Sequence, residues 1–89
     1  MPQVKIPPPY QGSTLGQARV EVEGTTVREC IQAVGDRYPG FFDLVIDPNG
    51  DVHRFVQLFI NGDEVDRAAV DTSVAEGDEV EVLAAVAGG

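Results

Sequence analysis

The chain has no tryptophan, one cysteine, one histidine and only six lysine or arginine residues among 89. Each scarcity removes a class of function. A single thiol, Cys30, excludes an internal disulfide and suits a reducing compartment. A single imidazole, His53, has no second His or Cys with which to build a metal ligand set. Six cations against fifteen carboxylates, a formal net charge of −9, argue against nucleic acid and against an anionic membrane surface. No apolar run approaches the length of a membrane span, and Met1-Pro2-Gln3-Val4-Lys5-Ile6 is too short and too weakly charged for a secretory leader. The expectation is a soluble cytoplasmic protein whose acidity serves solubility and favours a basic protein partner.

What is present is an ordinary globular composition, 43% hydrophobic and 24% charged, in a length that supports one domain and one small core. Val4 and Ile6 alternate with Gln3 and Lys5 as a strand does, and Pro7-Pro8-Pro9 stops it. Tyr10 to Gly16 reads as a turn or loop, and Ala18, Val20 and Val22 alternate with charged residues as the second arm of a hairpin. Thr26-Val27-Arg28-Glu29 has the spacing of a capping box, in which the Thr and Glu side chains satisfy free backbone N–H groups reciprocally. Behind it Val27, Cys30, Ile31, Val34 and Tyr38 form the apolar stripe of a helix that Pro39-Gly40 closes. Phe41 to Val45 reads either as a short helical turn or as an irregular apolar cover.

Asp47-Pro48-Asn49-Gly50-Asp51 is a turn. Val52 to Ile60 is expected to be the longest strand, and Asn61-Gly62 is the preferred pair of a type I′ hairpin, with a short return strand at Glu64-Val65. Residues 67–75 are irregular, and Glu76-Gly77-Asp78 leads into a last strand marked by Val80 and Val82. The order strand, strand, helix, strand, short strand, strand is met most simply by an α+β fold. One main helix then covers one face of a mixed sheet of four to five strands, and a right-handed crossover sets one strand parallel to an earlier one. This is a ubiquitin-like β-grasp, expected over residues 1–83, with a flexible C-terminal tail over 84–89.

Little in this body performs chemistry. Cys30 lies on the helix stripe and reads as an inert core thiol rather than a persulfide carrier. Asp43, Asp47 and Asp51 lack EF-hand spacing, Pro48 interrupts them, and they read as a solvated turn. Gly12-Ser13-Thr14-Leu15-Gly16 has no phosphate-loop Lys, and no Ser-His-Asp arrangement exists. The exception is the ending Ala87-Gly88-Gly89. Two glycines strengthen neither helix nor strand. They supply thin backbone and a carboxylate that fits a narrow channel, and from Ala84 the tail spans at most roughly 20 Å. In the strand before the hairpin, Val52, Val56, Leu58 and Ile60 share one parity and His53, Phe55, Gln57 and Phe59 the other. If the first set lies under the helix, Phe55 and Phe59 emerge on the open sheet face beside Leu83, a candidate docking surface. The alternative is that the segment around Phe41 and Phe42 folds over them.

The β-grasp pattern followed by Leu83-Ala84-Ala85-Val86-Ala87-Gly88-Gly89 resembles the ThiS/MoaD family of ubiquitin-like sulfur carriers. The run His53-Arg54-Phe55-Val56 and the terminus Ala85-Val86-Ala87-Gly88-Gly89 are most similar to the CysO type within it. The resemblance implies a protein co-substrate rather than an enzyme, with no intrinsic cofactor and no metal. A ubiquitin-activating-like adenylyltransferase/sulfurtransferase would use ATP to adenylate Gly89 and a sulfur donor to convert it to a thiocarboxylate, with Ala87 and Gly88 threading into the partner's active site. The acceptor it implies is a pyridoxal-phosphate-dependent cysteine synthase, with a metalloprotease releasing the product. The alternatives are a MoaD-like small subunit of molybdopterin synthase, a ubiquitin-like modifier joined to lysines through Gly89, and a plain interaction domain with no chemistry at its tail. Ala84-Ala85 stands where many relatives have proline, which leaves the root of the tail less stiff.

Overall fold

The computed structural model describes residues 1–84. Seven regular elements and one 3-10 helix follow in order: β1 (Gln3–Lys5), the 3-10 helix (Pro8–Thr14), β2 (Arg19–Glu21), α1 (Val27–Arg37), α2 (Pro39–Val45), β3 (Val56–Ile60), β4 (Asp63–Val65) and β5 (Glu79–Ala84). The sheet has five strands in the order β2-β1-β5-β3-β4. β1 and β5 run parallel at its centre, with Val4 opposite Val80, and every other pairing is antiparallel. This is the expected β-grasp. Both edge strands are three residues long and carry charged residues, Arg19 and Glu21 on one and Asp63 and Glu64 on the other, which blunts further strand addition.

The alternation read from the sequence sets the core. Val4, Val20, Val56, Leu58, Val80 and Val82 are buried on one sheet face, against Val27, Cys30, Ile31 and Val34 of α1. Fully burying each such aliphatic side chain contributes about 1.5–3 kcal/mol. The Thr26 hydroxyl accepts the Glu29 N–H at 3.1 Å, as a capping box requires. The return arm is displaced by one residue: the Glu29 carboxylate accepts from the N–H and hydroxyl of Thr25, at 2.9 and 3.0 Å, and not from Thr26. These bonds hold the Glu29 carboxyl below its ordinary range. The next free donors of α1 are met from far along the chain. Val27 N–H donates to the Thr72 carbonyl at 3.1 Å and Arg28 N–H to that of Val70 at 2.8 Å. The irregular segment 67–75 therefore caps a helix forty residues earlier.

Four expectations are corrected. Tyr10 to Gly16 is not a plain loop: the prolines fix φ near the helical value and start a 3-10 helix, closed by Leu15 at φ 54°. Thr14 at its end is fully buried and donates to the Gln17 carbonyl at 2.8 Å. Pro39 does not only end α1. Lacking an N–H, it also serves as the first residue of α2, which places Phe41 and Val45 in the core. The third strand is shorter than its pattern, beginning at Val56 rather than Val52. Val52 makes only an isolated bridge to Ile46, because the Asp47 turn draws this stretch toward α2. The last strand runs through Ala84, which pairs with Val56, one residue beyond the expected end of the domain.

Candidate functional site

The open face of the sheet is built by the second parity. Across it, Arg19, Lys5, Glu81, Phe59 and Glu64 stand in one row, each opposite the next on the neighbouring strand. Lys5 pairs with Glu81 at 3.5 Å and Arg19 reaches diagonally to Glu79 at 3.2 Å. Leu83 lies opposite Gln57, which puts it diagonal to Phe59, within reach of an aromatic ring. Phe59 and Leu83 are both half-buried. Phe41 is buried in the core, and α2 packs against α1 and the 3-10 helix, so the alternative cover over this face is not what α2 forms.

The structure brings Phe59 and Leu83 together but sets Phe55 apart. Phe55 precedes β3 in a turn, is 39% exposed, and stacks on His53 with ring centroids 5.0 Å apart. His53 in turn lies with Nε2 3.2 Å from the Asp43 carbonyl, an arrangement in which Nε2 carries the proton. Both rings line an open groove of about 600 Å³ together with Arg54 and Arg67. Arg67 was invisible as a site residue in the sequence, since the turn that carries it has no periodicity to place it.

The rival centres resolve into structure. Cys30 is fully buried, and burial, with Glu29 adding to it, raises its thiol above the ordinary range, so it is a weak nucleophile at neutral pH. Asp47 holds the 47–51 turn by accepting the N–H groups of Asn49 and Asp51 at 2.9 and 3.0 Å. Among the described residues no three His, Cys, Asp or Glu side chains converge on a point where a cation would sit. No helix among them is long and apolar enough to cross a membrane. Ala87, Gly88 and Gly89, the residues expected to carry the chemistry, lie outside the described residues.

A five-stranded mixed sheet with one main helix packed on one face defines a ubiquitin-like β-grasp protein. Residues 8–89 match the model of the ThiS family, and the chain belongs to that family of ubiquitin-like sulfur carriers. Over 89 residues it is 36% identical to the sulfur carrier protein CysO of Mycobacterium tuberculosis H37Rv, covering 97% of this chain and 96% of that relative. The crystal structure of Mycobacterium tuberculosis CysO superposes with a TM-score of 0.87 at 32% identity, covering 97% of this chain and all of that one. A crystal structure of a BexX/CysO complex from Amycolatopsis orientalis matches with a TM-score of 0.88 at 32% identity over the whole of both chains.

Proposed function

We propose that this protein carries sulfur on the carboxyl group of Gly89, as a thiocarboxylate, and donates it for biosynthesis, of cysteine in the first instance. The reading rests on the Gly88-Gly89 end standing just beyond a strand held on both sides, in a chain alike to CysO over nearly its whole length. A carboxylate is a poor electrophile. ATP supplies the leaving group: the Gly89 oxygen attacks the α-phosphorus, pyrophosphate departs, and a mixed anhydride with AMP remains. A sulfur donor then displaces AMP at the carbonyl carbon. The product is a sulfur nucleophile that stays ionised at neutral pH, unlike an ordinary thiol. It attacks an acceptor such as a serine-derived aminoacrylate on a cysteine synthase, after which a metalloprotease releases the new cysteine from the tail.

The chain's own residues present the tail. β5 is held by β1 at Glu79, Val80 and Glu81 and by β3 as far as Ala84, so the root of the tail is anchored by the ladder to β3. The absence of Cβ at Gly88 and Gly89 lets backbone enter a closed active site. Phe59 and Leu83, adjacent on the open face, dock the enzyme that receives the tail, and the charge of −9 draws in one of basic surface.

Intact-mass measurement of the protein from its native cells tests the chemistry. A form with one oxygen replaced by sulfur, absent when Gly89 is deleted, is the expected result. Ladders of high-mass conjugates would instead make it a modifier, and full function without Gly89 a plain interaction domain. Phe59→Ser tests the docking face: affinity for the activating enzyme falls about tenfold or more, about 1.4 kcal/mol. Lowered stability with unchanged affinity would remove Phe59 from the interface.

A further inference from the structure

Beside α2 lies a groove of about 510 Å³ that neither the core nor the sulfur chemistry uses. Phe42, Ile46 and Pro48 give it an apolar lining, Asp43 and Asp47 supply its charge, and Gly50 and His53 complete the wall. Two carboxylates thus line it, and no lysine or arginine does. Arg28, which reaches the Gly50 carbonyl at 3.2 Å, is held away by Asp71 at 3.5 Å. Beyond His53 the groove adjoins another of about 600 Å³, where Asp47, Asp51 and Asp66 outnumber Arg54 and Arg67. Negative charge is therefore in excess along both.

The local fold does not account for these carboxylates. Asp43 stands in the last turn of α2 and Asp47 just after it, with no basic residue in that turn. The free carbonyls at a helix C-terminus disfavour anions and favour a cation. Asp47 has a structural task, accepting the N–H groups of Asn49 and Asp51. Asp43 is exposed, and its carboxylate makes no ion pair among the described residues. Apolar surface is left over as well, for Phe42 is only half-buried and Pro48 is exposed. A long cationic side chain answers both features, because its methylene stem covers apolar surface while its head stays with the carboxylates. The groove is also tied to the root of the tail. The Val56 N–H donates to the His53 carbonyl at 3.0 Å, and Val56 lies opposite Ala84, where β5 leaves the sheet toward Gly89.

We propose that this groove docks a basic segment of the enzyme that receives the tail. An arginine or lysine stem lies on Phe42, Ile46 and Pro48, and its charged head lies between Asp43 and Asp47. The inference rests on the reading that an enzyme receives Gly89, and it adds a contact separate from Phe59 and Leu83. A second copy of this chain is a poor occupant, since its net charge of −9 would meet carboxylates at the rim. An exposed ion pair contributes little alone and gains when the enzyme covers the groove and excludes water. The contact therefore sets orientation at the root of the tail more than overall affinity.

The test is an NMR titration of the full, isotope-labelled chain with the peptide acetyl-Gly-Leu-Arg-Leu-Gly-amide. Saturable shifts are expected at the amides of Phe42, Asp43, Asp47, Gly50 and His53. Replacing the peptide's Arg by Gln weakens binding about threefold, the loss of one ion pair at its ordinary exposed value. Asp43→Asn, at an exposed position, weakens the Arg peptide by a similar factor, whereas Glu21→Gln on the edge strand β2 leaves its affinity unchanged. The proposal is overturned if no saturable shift occurs, or if the two peptides bind equally. It is equally overturned if Asp43→Asn has no effect, or if the shifts centre on Glu21 and Glu23 or on Glu76 and Glu79, which would mark attraction to net charge alone. Shifts that follow the chain's own concentration without peptide would assign the groove to a second copy and overturn it too. No sulfur chemistry enters this experiment. A chain that carries thiocarboxylate but shows no localised shift loses only the groove, and one that shows the shift without modification at Gly89 loses only the carrier reading.

Discussion

Replacing Gly35 with Ala sets local and tertiary forces against each other. Gly35 lies in the body of α1 and is buried. By intrinsic preference alone the change stabilises the helix by about 1 kcal/mol, since Ala loses less backbone freedom on ordering. The structure opposes this. A Cβ at position 35 would stand 2.6 Å from Phe42 Cβ, 3.0 Å from its Cδ1 and 3.2 Å from its Cγ. Carbon atoms rest about 3.5–4.0 Å apart, so roughly 1 Å of separation has to be found. A ring can change rotamer, but Phe42 Cβ is fixed to the backbone of α2, and only a shift of that helix relieves it. Overpacking of this kind costs about 1–3 kcal/mol, and a backbone shift lies at the upper end. The net expectation is a loss of about 1–2 kcal/mol, a fall in melting temperature of about 5–15 °C for a domain of this size. Urea denaturation measures it, with the slope unchanged if the denatured state is not altered. A Gly35→Ala variant more stable than the parent would refute the reasoning. In a Phe42→Gly background the sign should reverse, and a failure to reverse would show that the penalty does not come from this contact.

Two further outcomes follow from the same geometry. Asn61 has φ 51°, its side chain donates to Asp78 at 3.0 Å and accepts the Glu79 N–H at 2.9 Å, and it so ties the β3–β4 turn to the start of β5. Asn61→Ala should lose about 2 kcal/mol by denaturation, from the left-handed backbone and the two bonds together, and Asn61→Gly about half of that. Equal losses would show that the backbone conformation carries no cost. The second concerns acid. Backbone and side-chain donors hold Glu29 below its ordinary 4.5 and Asp78 below its ordinary 3.8. A depressed carboxyl contributes stability that is fully present above its ordinary value and is lost as pH falls through the lower folded one. Urea midpoints followed from neutral into strongly acid solution should decline through and below the ordinary carboxylate range. The decline should be shallower in Glu29→Gln and Asp78→Asn, and an identical acid limb in both variants would contradict the assignment.

The features that could be read in advance are those that short stretches of chain decide for themselves. Asn61-Gly62 adopts φ values of 51° and 89° wherever two strands meet there, because these two residues accept that backbone most readily. Thr26 caps the Glu29 N–H three residues on, and the parity of Val80 and Val82 buries both. The same parity argument placed Phe59 and Leu83 on the open face. It failed for Phe55, because the strand does not begin until Val56 and alternation has no meaning in the preceding turn. The 3-10 helix of Pro8–Thr14 is absent from that reading, and the helical alternative for Phe41 to Val45 starts two residues late, for a related reason: proline was read as a stop, although it starts a helix as readily as it ends one.

The sequence by itself determined the local grammar of this protein: the Asn61-Gly62 turn, the cap and stripe of α1 and the alternating strands. Those are choices of backbone conformation and burial made within a few residues. The tertiary structure alone decided that segment 67–75 caps α1, that α2 crowds Gly35, and that Arg54 and Arg67 face one groove beside the strand leading to Gly89. The first joins distant parts of the chain, the second packs two successive helices, and the third brings the turn before β3 beside the segment after β4, so none is set by the backbone preference of a few residues.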